Sequence, residues 1–415
     1  MTQTTPLLQG LHVVDLASWI AGPAATTVLS DFGADVIKVE PPGIGDTYRY
    51  FSRLSLSPQV PGFNYSWQMD NRNKRSIALN LKSAAAKTVL ERLIKWADVL
   101  VTNFPPTTRA RFGLEYDQLA LLNPRLIYAD ITGFGEVGPD ADQPGFDATA
   151  YWARSGLMDL TRSRNAAPVP NVPGAGDHAT AISLYGGIMT ALYRRERTGL
   201  GARVTASLLA EGAWAAGCFL SGVLAGGATP LPPDRLHPAN ALTNVYRTGD
   251  DRWLLLAFLN EDKEFPLFLQ AMGHPEAAAD PRFKDGASRL AHTTEMVALL
   301  DAEFAKRSLA EWRELFASAN LTYGIAQTLD EVATDPQLIA NHILVPFDDG
   351  SGQSRLTIDS PVRLDQETKV APRRAPEIGE HTEQILDELG FTTDVIATLR
   401  GGGAIPPMDQ DRKAA

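Results

Sequence analysis

The stretch "LHVVDLASWIAGPAATTVLSDFGADVIKVE", residues 11–40, decides the fold class. Its opening run, "LHVVDLA", is a short apolar strand pattern. "AGPAATTVLSDFG" then reads as a helix, with Pro23 near the first turn, where a missing N–H is tolerated, and Gly33 at the end. "ADVIKVE" follows as a second strand. Strand, helix and strand in this order form a βαβ unit, which implies a parallel sheet and a doubly wound α/β fold.

The alternation continues downstream. "SAAAKTVLERLIKWA" has the spacing of an amphipathic helix, "DVLVTNF" that of a strand, and "PRLIYADITGFG" supplies another strand. We expect a large α/β domain over residues 1–205. Between 206 and 235 the composition shifts to Gly, Ala and Pro, as a linker would. "NVYRTGDDRWLLLAFLN" predicts a hairpin turning near Gly249, Asp250 and Asp251, and helical patterns through "AEWRELFASAN" complete a smaller α+β domain over 236–330. A return segment, 331–415, carries a C-terminal helix pair in "PEIGEHTEQILDELGFTTDVIATLRGGGAI" and ends in a polar tail.

Composition narrows the function classes. A chain of 415 residues with 38 basic and 49 acidic side chains has a net charge of −11, which argues against general nucleic-acid binding. One cysteine, Cys218, excludes an intramolecular disulfide framework and multi-cysteine zinc sites, so a reducing cytoplasm is the expected location. Lying in "WAAGCFLSGVL" without a nearby basic group, Cys218 is expected to be a buried, inert thiol. The seven histidines show no metal-ligand spacing, and no metal is expected. "MTQTTPLLQG" has no basic region leading into an apolar run, so no secretory signal is expected. Residues 212–233 carry no charge but hold five glycines, which fits a buried helix or interface better than a membrane span.

Two places could carry chemistry. In "VPGAGDHATAISLYGGIMTALYRRERTG", residues 172–199, a single carboxylate, Asp177, stands just before a helical pattern. It could cap that helix, or, flanked by Gly174 and Gly176, it could be reached by a bulky electrophile. Spacing alone leaves both readings open. The second place is "NRNKRSIALNLKS", whose Arg72, Lys74, Arg75 and Lys82 suggest either a solvated basic face or a site for a phosphorylated ligand; Lys38, Arg109 and Arg111 add to it. The turn "ASWIAGPAAT" lacks G-x-G-x-x-G, so a dinucleotide fingerprint is not supported.

Six blocks in order resemble family III CoA-transferases. They are "GLHVVDLASWIAGPAATTVLSDFGADVIKVEPPGIGD", "NRNKRSIALNLK", "TNFPPTTRARFGLEYDQLALLNPRLIYADITGFGEVGP", "GDHATAISLYGGIMTALYRRERTGLG", "DPRFKD" and "PEIGEHTEQILDELGF". The resemblance implies a Rossmann-like large domain, a small domain, and two identical chains threaded through each other as a homodimer. It places Asp177 on the family's aspartate nucleophile, and it implies acyl-CoA and a carboxylic acid as substrates with no tightly bound cofactor. By position in these blocks, Trp19, Ile20, Ala21, Leu79, Lys82, Asn103, Phe104 and Arg111 resemble CoA-contacting residues, with Lys82 and Arg111 toward the phosphates. Lys38 and Arg75 are expected to stabilise the fold instead. Backbone N–H groups of the glycine-rich loop are expected to stabilise oxyanions.

Two departures from the family pattern bear on the reaction. Where the racemase branch has a histidine that abstracts a proton, "PGFDATA" has Phe146, followed by Asp147. Phenylalanine cannot move a proton, which disfavours racemisation by that route; Phe146 becomes a ligand-contact candidate and Asp147 a supporting carboxylate. His178 adjoins the nucleophile, although adjacent residues project differently. Ile20 and Phe51 stand where the formyl-CoA transferase branch has a polar glutamine and a mobile tryptophan, which points to an acid larger or less polar than oxalate. The expected reaction is CoA transfer through Asp177. A racemase or isomerase, and a non-catalytic CoA-binding paralogue, are the alternatives.

Overall fold

The computed structural model describes residues 5–54, 57–169 and 172–407, so the first four residues of the "MTQTTPLLQG" start and the last eight of the polar tail lie outside the described residues. Two compact units divide the chain. The first draws on residues up to 158, on 170–228 and on the return segment from 336; the second comprises 159–169 and 229–335.

Six strands form the sheet of the first unit: β1 (His12–Asp15), β2 (Asp35–Glu40), β3 (Arg75–Ala78), β4 (Val99–Thr102), β5 (Ile127–Thr132) and β6 (Ala202–Ser207). All neighbours pair in parallel, in the order β3-β2-β1-β4-β5-β6. Successive strand side chains face opposite ways, so each strand feeds two cores. Val14, Ile37, Ile77 and Leu100 pack on one face with α3 (Ala86–Trp96) and with Ile385, Leu386, Ile396 and Leu399 of the return segment. Val13, Val36, Val99, Val101 and Ile127 pack on the other against α1 (Ala21–Asp31) and a long helix, α7 (Ala175–Thr198). Every residue of α1 is buried, as expected of a helix lodged between a sheet and a second helix.

Further helices along the chain to residue 228 include α2 (Tyr65–Asn71), α4 (Pro106–Phe112), α5 (Tyr116–Leu122), a π-helical turn Asp147–Ala153, the short α6 (Leu157–Thr161), α8 (Leu208–Ala215) and α9 (Gly217–Leu224). The expected linker, 206–235, therefore contains helix. The uncharged stretch is not a buried helix: α9 has no buried residue, Trp214 and Leu224 are 83% and 79% exposed, and Cys218 is exposed rather than buried. No helix among the described residues is long and apolar enough to cross a membrane.

The second unit has an antiparallel sheet, β7 (Val245–Arg247), β8 (Trp253–Leu256) and β9 (Tyr323–Ile325). The predicted hairpin is β7–β8, and its turn places Asp251 in the left-handed region at φ 69°. Phe258, Phe268, Phe304, Trp312 and Phe316 form its aromatic core. In the first unit, β10 (Leu344–Phe347) and β11 (Arg355–Ile358) form a separate antiparallel pair.

Candidate active site

Strand order reverses between β1 and β4, and in doubly wound sheets ligands bind outside the carboxyl ends of strands at such a point. The loops there are stitched together by one side chain. Asn103, just after β4, accepts the N–H of Ser18 at 2.9 Å and donates to the Ser18 carbonyl at 2.7 Å. Trp19 follows at φ 68°, a strained conformation for a bulky residue, and its N–H donates to Asp46 at 3.1 Å. Its ring meets Phe146 edge-on at 6.1 Å, and both aromatics are exposed. Ile20 is buried with Tyr48, Trp67 and Ala375, and Phe51 packs beside them.

Helix α7 returns the chain from β5 to β6, which brings its N-terminus to the same edge of the sheet. Asp177 is the third residue of that helix, and the N-cap is Gly174, at φ 82° and without a side-chain cap. The missing cap comes from another segment. Asp147 accepts the N–H of Gly174 at 2.9 Å through Oδ2 and that of Gly176 at 2.8 Å through Oδ1. Gly176 must lack a side chain, since a Cβ there would stand 2.2 Å from Tyr151 and 2.4 Å from Asp147. Asp177 is thus relieved of capping. Equally, the glycine N–H groups at 174 and 176 are already bonded to Asp147, so the expected oxyanion role does not fit them.

Charge around Asp177 is concentrated. Burial, reinforced by the negative charges of Asp147 and Asp70 and only partly opposed by His178, pushes its carboxyl from 3.8 up to about 7. Burial also raises Asp147, against its two backbone hydrogen bonds. His178 Nε2 lies 3.0 Å from Asp70 Oδ1, and Tyr48 donates to Asp70 Oδ2 at 2.8 Å. Burial alone would lower His178, but the Asp70 hydrogen bond and charge, with Asp177 and Asp147, hold it above its ordinary value. Sequence reasoning missed Tyr48 and Asp70, which become recognisable only once α2 is packed against α1 and α7.

The basic run is mostly structural. Arg72 forms a bidentate pair with buried Asp31, at 2.9 and 2.7 Å. Lys74 and Lys38 both pair with buried Asp15, at 3.0 and 3.7 Å, and Lys38 also pairs with Asp46 at 3.0 Å. Arg75 bridges Asp35 and Glu388, and Arg109 bridges Asp130 and Glu136. Lys82 and Arg111 differ: both are exposed and neither has an ion-pair partner among the described residues. The Arg111 guanidinium lies 4.6 Å over Phe112, whose ring is 6.2 Å from Phe104. Leu79 and Ala21 are core residues, which leaves only their backbones for a ligand. Among the described residues no group of three or more His, Cys, Asp or Glu side chains could hold a metal ion.

A desolvated, uncommitted carboxylate suits nucleophilic attack, and the unpaired cations Lys82 and Arg111 elsewhere in the same unit suit an anionic ligand. Comparison with known proteins agrees in kind. Residues 8–382 match the profile of CoA-transferase family III. The chain is 32% identical to (R)-2-hydroxy-4-methylpentanoate CoA-transferase of Clostridioides difficile over 95% of this chain and 98% of that protein. It is 35% identical to acetyl-CoA:oxalate CoA-transferase of Acetobacter aceti, over 83% and 88%. A CAIB/BAIF family protein from Brucella suis superposes with a TM-score of 0.82 at 30% identity, covering 93% of this chain and all of that one.

Proposed function

Because the chain belongs to CoA-transferase family III and is a CoA-transferase, we propose that it moves CoA from an acyl-CoA donor to an acceptor carboxylic acid through covalent intermediates on Asp177. The observation that carries this reading is the division of labour at α7: Asp147 caps the helix, and Asp177 stays desolvated and uncommitted. Each step conserves atoms and electrons. An Asp177 oxygen attacks the thioester carbonyl, the C–S bond breaks, and a mixed anhydride and CoA thiolate result. The thiolate then attacks the Asp177 carbonyl carbon, giving an aspartyl-CoA thioester and releasing the donor acid. The acceptor carboxylate reverses both steps, leaving a new acyl-CoA and a free Asp177.

Both intermediates are open to hydrolysis, so water must be restricted. Trp19 and Phe146 stand where they could shield the site, with Asp147 as its supporting carboxylate. CoA would run past Trp19, Ile20 and Ala21, the backbone near Leu79, and Phe104, with Lys82 and Arg111 on its phosphates. Asn103 would shape this path by holding Ser18. The exposed apolar side chains of α8 and α9, with Trp214, Phe219 and Leu224, fit burial against a second copy in an interlocked homodimer. Relatives act on acids as different as 2-hydroxy-4-methylpentanoate and oxalate. The apolar group of Ile20, Tyr48, Phe51 and Trp67 favours an acid larger or less polar than oxalate.

The test is to incubate the protein with a panel of acyl-CoA donors, quench with hydroxylamine, and map the modified peptide by mass spectrometry. Modification at Asp177 with a subset of donors is expected and would identify the donor class. No adduct with any donor, together with α-carbon exchange in deuterated water, would turn the reading toward an isomerase.

A further inference from the structure

The nucleophile has an immediate neighbour that the reaction above does not use. His178 is gripped on one side only: Nε2 meets Asp70 at 3.0 Å, and Asp70 is in turn fixed by the Tyr48 hydroxyl at 2.8 Å. The Asp70 carbonyl also accepts from Thr27 and Lys74, at 2.5 and 2.9 Å, which ties this end of α2 to α1. Imidazole, carboxylate and phenol therefore form a rigid relay built on three elements. The other edge of the ring faces the turn that enters α7: a Cβ at Gly174 would stand 3.6 Å from Cε1, 3.7 Å from Nδ1 and 3.1 Å from Ile20. Nδ1 makes no hydrogen bond among the described residues.

The electrostatic setting gives this arrangement a purpose. Asp177 precedes His178 on α7, Asp147 faces the same turn from the π-helical segment, and Asp70 faces it from α2. Tyr48, from the segment after β2, is kept protonated by burial and by Asp70 and Asp177. The ring also borders a cavity of about 500 Å³ between α1, α2, α7 and the return segment. Besides His178, the charged or titratable groups lining that cavity are Asp70 itself, Arg72, paired with Asp31, Asp359, paired with Lys369, and Arg363 and His342. Three carboxylates thus bear on one imidazole, whose positive charge opposes the rise of the Asp177 carboxyl that Asp147 and Asp70 reinforce. Unrelieved, like charges at this spacing force one member to take up a proton, and a protonated carboxyl is a poor nucleophile.

We propose that His178 is a positioning residue for the transfer reaction: clamped by Asp70 and Tyr48, its imidazolium holds the Asp177 carboxylate in the anionic, attacking form. This inference rests on Asp177 being the nucleophile. In this role Nε2–H donates to Asp70 and the ring stays protonated, so its contribution is a fixed positive charge rather than the proton abstraction that the racemase branch requires.

The test uses His178→Gln, which retains an amide donor for Asp70 but has no charge, and follows the rate of hydroxylamine-trappable Asp177 adduct against pH. The acid limb of the profile is expected to move up by about one pH unit relative to wild type, a roughly tenfold loss near pH 6 that narrows to a few-fold above pH 8.5. A uniform loss at every pH, or an unmoved limb, would overturn the proposal, because a purely structural role predicts one or the other. His178→Asn serves the same comparison if the glutamine variant does not fold. Absence of any adduct in wild type would instead sink the nucleophile reading, so the two failures are distinguishable.

Discussion

Asp147 caps the helix that carries Asp177, holding the N–H groups of Gly174 and Gly176 at 2.9 and 2.8 Å, so the capping is done by Asp147 and not by Asp177. Replacing Asp147 should therefore damage both fold and rate. Asp147→Ala leaves two N–H groups without their acceptor and is expected to cost about 1–3 kcal/mol in denaturant unfolding. Turnover should fall more than tenfold, because the turn that aims Asp177 is loosened. Asp147→Asn keeps one acceptor oxygen and should lie between that variant and wild type. Unchanged unfolding and turnover in Asp147→Ala would rule out the capping role.

The burial that raises the Asp177 carboxyl also destabilises the protein, with a definite sign in pH. Its folded-state carboxyl titrates near 7 against an ordinary 3.8, so between those values the folded state binds more protons than the unfolded chain. Stability from this group is then fully present below about pH 4 and falls as pH rises through 7. Asp177→Asn removes the ionisation. At pH 8 it should abolish turnover yet raise stability by roughly 1–3 kcal/mol, the lower end allowing for solvent screening. The gain should vanish near pH 4. Urea unfolding of both proteins at matched concentration and several pH values reads this directly, and a variant less stable at pH 8 would contradict it.

How far the sequence could be read depended on how local each feature was. The βαβ unit at 11–40 was legible because period-two strands, a helix stop at Gly33 and their order are all short-range. Asp177 was ambiguous from spacing, since whether it caps α7 depends on Asp147, in another segment. The basic run misled for the same reason: Arg72 and Lys74 find Asp31 and Asp15, 41 and 59 residues away, and a surface-like pattern becomes buried ion pairs. Cys218 was expected inside because its neighbours are apolar, but nothing among the described residues covers that face of α9. Apolar sequence records that a surface needs burial, and not which chain supplies it.

Asn103 offers a test of the crevice at the strand-order reversal. Its side chain satisfies both the N–H and the carbonyl of Ser18, and the next residue, Trp19, is held in a strained conformation. Asn103→Leu keeps the branched heavy-atom skeleton but has no polar atoms. The two Ser18 groups lose their partner, and the loop carrying Trp19 keeps its Asp46 contact but loses the Asn103 clamp. We expect kcat/KM for acyl-CoA to fall 10- to 100-fold while the unfolding midpoint drops only modestly. A kcat/KM within threefold of wild type would show that the loop keeps its shape without Asn103.

Lys82 and Arg111 are the exposed cations left unpaired when the rest of the basic run folds inward, and they should recognise the phosphates of CoA. Such contacts are made equally in ground and transition states, so Lys82→Ala and Arg111→Ala should each raise KM for acyl-CoA several-fold with kcat nearly unchanged. Being solvent-exposed, the interaction should weaken with ionic strength, and the gap between wild type and variants should narrow as salt is added. Arg111 also stacks on Phe112, so its loss should exceed that of Lys82 at high salt, where packing outlasts charge. An acyl-pantetheine donor, which lacks the phosphates, provides the internal control. Wild type should use it poorly, and neither substitution should worsen it further. A variant equally impaired with acyl-CoA and acyl-pantetheine would place its side chain on the fold rather than on the ligand.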